Sequence, residues 1–133
     1  MRITADTNIL VRASVLDDQK QAKVATQLLQ DSEVVAVPLP ALCEYAWVLR
    51  QGYKRSSGEV AGYIRILLES AAIRVDLSAV EAGLAMLDAG GDFADGVIAF
   101  TGRQMGGSVF ASFDRKAIEL VAATGGETRL LVV

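Results

Sequence analysis

Arg2-Ile3-Thr4-Ala5-Asp6-Thr7-Asn8-Ile9-Leu10 is the stretch that decides how the chain reads. A short, partly apolar run leads into a carboxylate. Two small polar residues follow, and an apolar run of helical character resumes. This predicts a buried strand ending in Asp6, with a turn into a helix. In open α/β sheets, ligands gather in the crevice beyond the carboxyl ends of the strands, so an acid placed there is a candidate site residue. Asp is also a good helix cap, and the stretch alone leaves both readings open.

Working outward, the same arrangement recurs near the other end. Residues 108–113 predict a strand that runs into Asp114, and residues 115–122 a helix that Asp114 would cap. Between these two points strands and helices alternate. A helical piece covers 9–13. Asp17 and Asp18 open a helix that runs to about residue 30, with Val24, Leu28 and Leu29 as its apolar stripe. The β-branched run 34–37 predicts a buried strand, stopped by Pro38 and Pro40, and Pro40 suits the first turn of the next helix. That helix, 41–49, is apolar nearly all round, with Glu44 as its only charge, Cys43 read as core, and Trp47 read first as core and second as part of a partner surface. An unpaired buried carboxylate costs several kcal/mol, so Glu44 needs a cation beside it or a gap in the packing.

Arg50, Tyr53, Lys54 and Arg55 then form a basic cluster around an aromatic ring. It reads first as a solvated helix end, and second as a place to hold phosphates and stack a base. Ser56 and Glu59 make a capping-box pattern ahead of a helix with Val60, Tyr63, Ile64, Leu67 and Leu68 on one face. Residues 73–75 are a short strand. Ser78 caps the following helix, which turns Val80, Leu84 and Leu87 inward. After a glycine loop, Asp92 is the expected N-cap of another apolar helix. Asp95 lies inside its first turn, and Gly96 permits a close approach by a backbone or ligand. A last strand covers 129–133. The alternation implies a mostly parallel sheet with helices on both faces, in one domain spanning 1–133.

Composition narrows the chemistry. The chain has 133 residues, 52% hydrophobic and 22% charged, enough for one well-filled core. No apolar run is long enough to cross a bilayer, and Asp6 interrupts the only run near the start, so neither a membrane span nor a signal peptide is expected and the expected location is cytoplasmic. There is no histidine and only one cysteine. That excludes a His-dependent triad, an imidazole base, a Cys/His zinc site and a disulfide within the chain. Metal chemistry would have to use oxygen ligands, which suit Mg²⁺ or Mn²⁺. A net charge of −3 with a pI near 4.9 argues against a basic nucleic-acid binder, but clustered metal-holding acids would lower a nuclease's pI as well.

Asp6, Glu44, Asp95 and Asp114 each stand at a strand end or helix start inside apolar sequence. Brought together they would repel unless a cation sat among them. Bound Mg²⁺ can activate water and steady phosphate oxygens during in-line displacement.

These residues carry a resemblance. Asp6-Thr7-Asn8, Pro38-Leu39-Pro40-Ala41-Leu42-Cys43-Glu44 with Trp47-Val48-Leu49, Asp92-Phe93-Ala94-Asp95 with Ile98-Ala99, and Ser112-Phe113-Asp114 occur in order across nearly the whole chain. Together they resemble a PIN-domain ribonuclease of the VapC toxin family of type II toxin–antitoxin systems. The resemblance implies a three-layer α/β/α PIN-like fold with a central parallel sheet of order 3-2-1-4-5. It implies an endoribonuclease dependent on Mg²⁺ or Mn²⁺ that hydrolyses phosphodiester bonds in structured RNA, tRNA or rRNA. The family's catalytic and metal-holding quartet falls on Asp6, Glu44, Asp95 and Asp114. Thr7, Asn8, Asp92 and Ser112 fall where the family has residues that support those ligands or orient water. Implied partners are a small cognate antitoxin, a second copy of the chain as a homodimer, and operator DNA only through the antitoxin complex. Gly96 departs from the family's frequent Ala or Leu. The alternative from another class is a catalytically silent PIN-like protein-binding module. A receiver domain would want adjacent acids after the first strand, where this chain has Asp6-Thr7.

Overall fold

The computed structural model covers residues 1–133. In chain order it forms β1 (Arg2–Thr4), α1 (Thr7–Ser14), α2 (Gln19–Asp31), β2 (Val34–Ala36), α3 (Leu39–Trp47), a π-helical turn (Val48–Gly52), α4 (Ser57–Leu68), β3 (Ile73–Arg74), α5 (Leu77–Asp88), α6 (Phe93–Gln104), β4 (Val109–Ser112), α7 (Arg115–Ala123) and β5 (Glu127–Leu130). Every strand pair is parallel. No helix is long and apolar enough to cross a membrane.

By contacts the chain falls into two compact units, Met1–Asp76 and Leu77–Val133. The first holds a sheet of order β3-β2-β1, in which Arg2 faces Val34, Ile3 faces Val35 and Val35 faces Ile73. The second holds β4 beside β5, with Val109 facing Glu127 and Ser112 facing Leu130. Of the expected order 3-2-1-4-5, the first unit shows 3-2-1 and the second 4-5.

In the first unit α1 packs on α2 and α3. Leu10, Val35, Leu42, Tyr45, Leu49, Val60 and Ile64 form its buried heart. The Tyr45 hydroxyl sits 2.6 Å from Ser14 Oγ, whose own proton goes to the Leu10 carbonyl at 2.8 Å, so Tyr45 is the donor. Burial pushes the Tyr45 hydroxyl up to about 12. Ser56 and Glu59 make the expected capping box on α4: Ser56 Oγ accepts from Glu59 N at 3.1 Å, and Glu59 Oε1 accepts from Ser56 N at 2.9 Å. Ser56→Ala is expected to cost about 1 kcal/mol, seen as a lower urea midpoint at unchanged slope.

In the second unit α5 lies against α6, and α7 covers β4 and β5. The inward face of α5 is as expected, with Val80, Leu84 and Leu87 buried. α5 and α6 approach so closely that a Cβ on Gly96 would sit 2.4 Å from the Ala82 carbonyl oxygen. The close approach that Gly96 permits is therefore to a neighbouring backbone.

Several expectations fail for reasons of burial. β1 is not buried: it lies at one end of its sheet, with Arg2 and Thr4 exposed and Ile3 half-buried. Val24 is 71% exposed, because Ala22 and Ala25 form the buried line of α2. Cys43 is half-buried rather than core, and desolvation raises its thiol pKa. Trp47 is 64% exposed. Ser78 does not cap α5, which already begins at Leu77. The last strand ends at Leu130, since its partner β4 offers its final carbonyl, Ser112, to Leu131 N at 2.8 Å.

Candidate active site

The first pair of acids is set by the end of β1. The Ala5 amide makes the last ladder bond, to the Ala36 carbonyl at 2.9 Å, and Asp6 is the first residue beyond it. Asp6 then caps α1, its Oδ1 accepting from Thr7 N at 2.8 Å. That occupies one oxygen and leaves Oδ2. The cap and site readings of Asp6 are therefore compatible, since a carboxylate has lone pairs for both.

Thr7 is buried, and its hydroxyl donates to the Ala41 carbonyl in the first turn of α3 at 3.2 Å. This ties the start of α1 to the start of α3, one turn before Glu44. The result is an open pocket lined by Thr4, Asp6, Thr7, Pro38, Pro40 and Glu44. Glu44 is exposed there, which corrects the expectation of a buried carboxylate: α3 is buried through Leu42, Tyr45 and Ala46, and Glu44 lies on its other side. Asn8 is exposed and lines a separate groove with Ile9, Arg12, Lys20 and Val24.

The second group lies in the other unit. Asp114 follows β4 as Asp6 follows β1, and it too is a cap, its Oδ1 accepting from Ala117 N at 3.1 Å. Ser112 Oγ accepts from Asp114 N at 2.9 Å and so fixes the backbone that presents this acid. Asp92 stands in the N-cap position of α6 but makes no capping hydrogen bond, against the ordinary reading of that residue. Asp95 is half-buried in the first turn of α6. Its carboxyl is held above the ordinary range, first by loss of water and then by the negative charges of Asp92 and Asp114. The cost of that crowding falls on Asp95, the most shielded of the three.

The structure thus brings Asp6 and Glu44 to one pocket, and Asp92, Asp95 and Asp114 within electrostatic reach of one another. No set of three or more acids is already drawn to metal-ligand distance. The donor chemistry in each group is oxygen only, which suits a hard divalent cation such as Mg²⁺ or Mn²⁺.

Part of the basic cluster is engaged within the fold, while Arg55 Nε is buried with no hydrogen-bond partner. Tyr53 donates to Asp17 Oδ2 at 3.0 Å, and Arg12 pairs with Asp17 at 3.2 Å. Arg50 bonds Ser57 Oγ. Tyr53 and then Arg12 hold the Asp17 carboxyl below its usual range. The sequence pattern missed the 67% exposed Phe113 and favoured core for Trp47, which is exposed. Their neighbours in sequence, Glu44 and Asp114, were the available signal.

No curated protein matches the chain as a relative. The PIN domain family profile matches residues 3–123, which runs through both units and covers all the acids described above. PIN domains are in general nucleases and usually use divalent metal ions. A profile spanning nearly the full length makes this chain a member of the PIN-domain family.

Proposed function

We propose that this chain is a Mg²⁺- or Mn²⁺-dependent endoribonuclease of the VapC toxin type, acting on structured RNA such as tRNA or rRNA. The observation that carries the reading is Asp95, a half-buried carboxylate whose charge is opposed by Asp92 and Asp114. A fold tolerates such crowding where the charge is wanted, and perturbed carboxyls gather at functional sites. A silent protein-binding module has no use for it.

In this reading Asp6, Glu44, Asp95 and Asp114 are the metal ligands. A bound divalent ion supplies an activated water and neutralises charge building on the phosphate. Thr7 holds the Asp6 and Glu44 elements together, and Ser112 holds the backbone at Asp114. Asn8 and Asp92 support the ligands from the edges. The two units act as a single PIN domain, as the continuous family match suggests. The toxin assignment brings with it a small antitoxin, a homodimer, operator DNA only through the antitoxin complex and a cytoplasmic setting.

The test is cleavage of a total tRNA and rRNA pool by purified protein. Asp6→Asn is expected to abolish cleavage, a loss of roughly 10³-fold if the ligand supplies several kcal/mol, with the fold intact. EDTA should stop the wild-type reaction and Mn²⁺ restore it. Cleavage that survives both treatments would remove the mechanism.

A further inference from the structure

Trp47 is 64% exposed and is the last residue of α3. Pro40, Glu44 and Trp47 are all exposed, at spacings of four and three, so they form one outward stripe of the helix. Pro40 and Glu44 line the pocket that also holds Asp6. Trp47 is thus the next side chain along the stripe from Glu44, roughly 5–6 Å away between Cβ atoms.

An exposed Trp needs a reason, because its large apolar surface is usually hidden. It is the only large exposed hydrophobe on α3. Its neighbours on the stripe are a proline and a carboxylate. A stable protein interface wants about 800 Å² per partner with an apolar centre, which this stripe does not offer. A single flat ring on a polar, negatively charged ridge suits a single flat ligand. Bases stack on such rings whatever their sequence.

We infer that Trp47 is a stacking platform for an unpaired RNA base, holding the strand against the Asp6 and Glu44 pocket. The inference rests on the nuclease reading and adds a substrate-binding residue to it. It makes single-stranded segments of a structured RNA, rather than its duplex stems, the part that docks on α3. The edges of a stacked base stay free, so Trp47 sets affinity and strand placement more than sequence choice.

The chain has one tryptophan, so its fluorescence reports this residue alone. The probe is a short single-stranded oligoadenylate with Ca²⁺ in place of Mg²⁺ to keep the strand whole, and an abasic strand of the same length as control. Binding is followed both by tryptophan emission and by anisotropy of a labelled strand. Oligoadenylate is expected to quench the emission saturably and the abasic strand to leave it unchanged. Trp47→Ala should raise the Kd about tenfold or more, and Trp47→Phe should recover most of the loss. Strand binding with unchanged emission, and equal affinity in Trp47→Ala, would overturn the stacking role. The nuclease reading would then still stand if Asp6→Asn abolishes cleavage. Quenching that follows protein concentration rather than RNA, with Trp47→Ala shifting the sedimenting species, would assign the residue to self-association instead and likewise overturn it.

Discussion

Asp95→Asn is expected to abolish RNA cleavage and, at the same time, to raise the melting temperature of the metal-free protein. Both effects follow from one cause. Burial and the neighbouring Asp92 and Asp114 hold the Asp95 carboxyl above its ordinary value of 3.8. A carboxyl whose pKa is raised in the folded state is easier to ionise once unfolded. Its charge therefore costs stability, a cost absent in acid and complete once pH has risen through the folded value. At any pH above the folded value the wild-type protein bears the whole of it. Asn keeps the shape and removes the charge, so the variant should melt higher at neutral pH and the difference should close as pH falls below the ordinary carboxyl range.

Divalent metal separates this from simple surface repair. Mn²⁺ should raise the wild-type melting temperature by binding the folded state, and should do much less for the variant. Thermal melts at neutral and acid pH, with and without Mn²⁺, read both arms. A variant that melts lower than wild type in every condition would show that Asp95 is a structural residue.

The second large effect belongs to the fold. Gly96→Ala would place a Cβ 2.4 Å from the Ala82 carbonyl oxygen and 2.7 Å from Met86 Cγ. The Met86 side chain can move, but the α5 backbone can yield only by parting the two helices. The expected loss is about 1–3 kcal/mol, and more for Gly96→Val. Gly62→Ala is the matched comparison, because a Cβ there meets nothing within 4 Å. Inside α4 it should stabilise by about 0.5–1 kcal/mol through lower backbone entropy in the unfolded chain. Urea unfolding of the two variants side by side should move the midpoints in opposite directions. Equal shifts would mean that α5 and α6 are not in the contact described.

What the sequence made legible was local chemistry. The strand-to-acid turns at Asp6 and Asp114, the capping box of Ser56 and Glu59 and the alternation that dictates parallel pairing each depend on residues a few positions apart. The family resemblance rested on those same local signals, and the PIN profile upholds it at the level of the family. Burial was harder to read, because it depends on what packs from a distance. The 41–49 run is apolar nearly all round, yet α3 buries one side only, and both Glu44 and Trp47 emerge on the other. α2 buries Ala22 and Ala25 rather than its larger Val24. The π-helical turn at Val48–Gly52 left no signal in the sequence beyond the terminal glycine. At Asp92 the pattern promised a cap, and the structure keeps the position without the bond.

The central proposal is that these acids hold divalent metal. Calorimetric titration of Mn²⁺ into the wild-type protein and into Asp6→Asn, Glu44→Gln, Asp95→Asn and Asp114→Asn tests it most directly. Saturable binding in the wild type, weakened at least tenfold by these substitutions, is the result expected. Binding that is absent in the wild type, or that persists unchanged in all four variants, would contradict it.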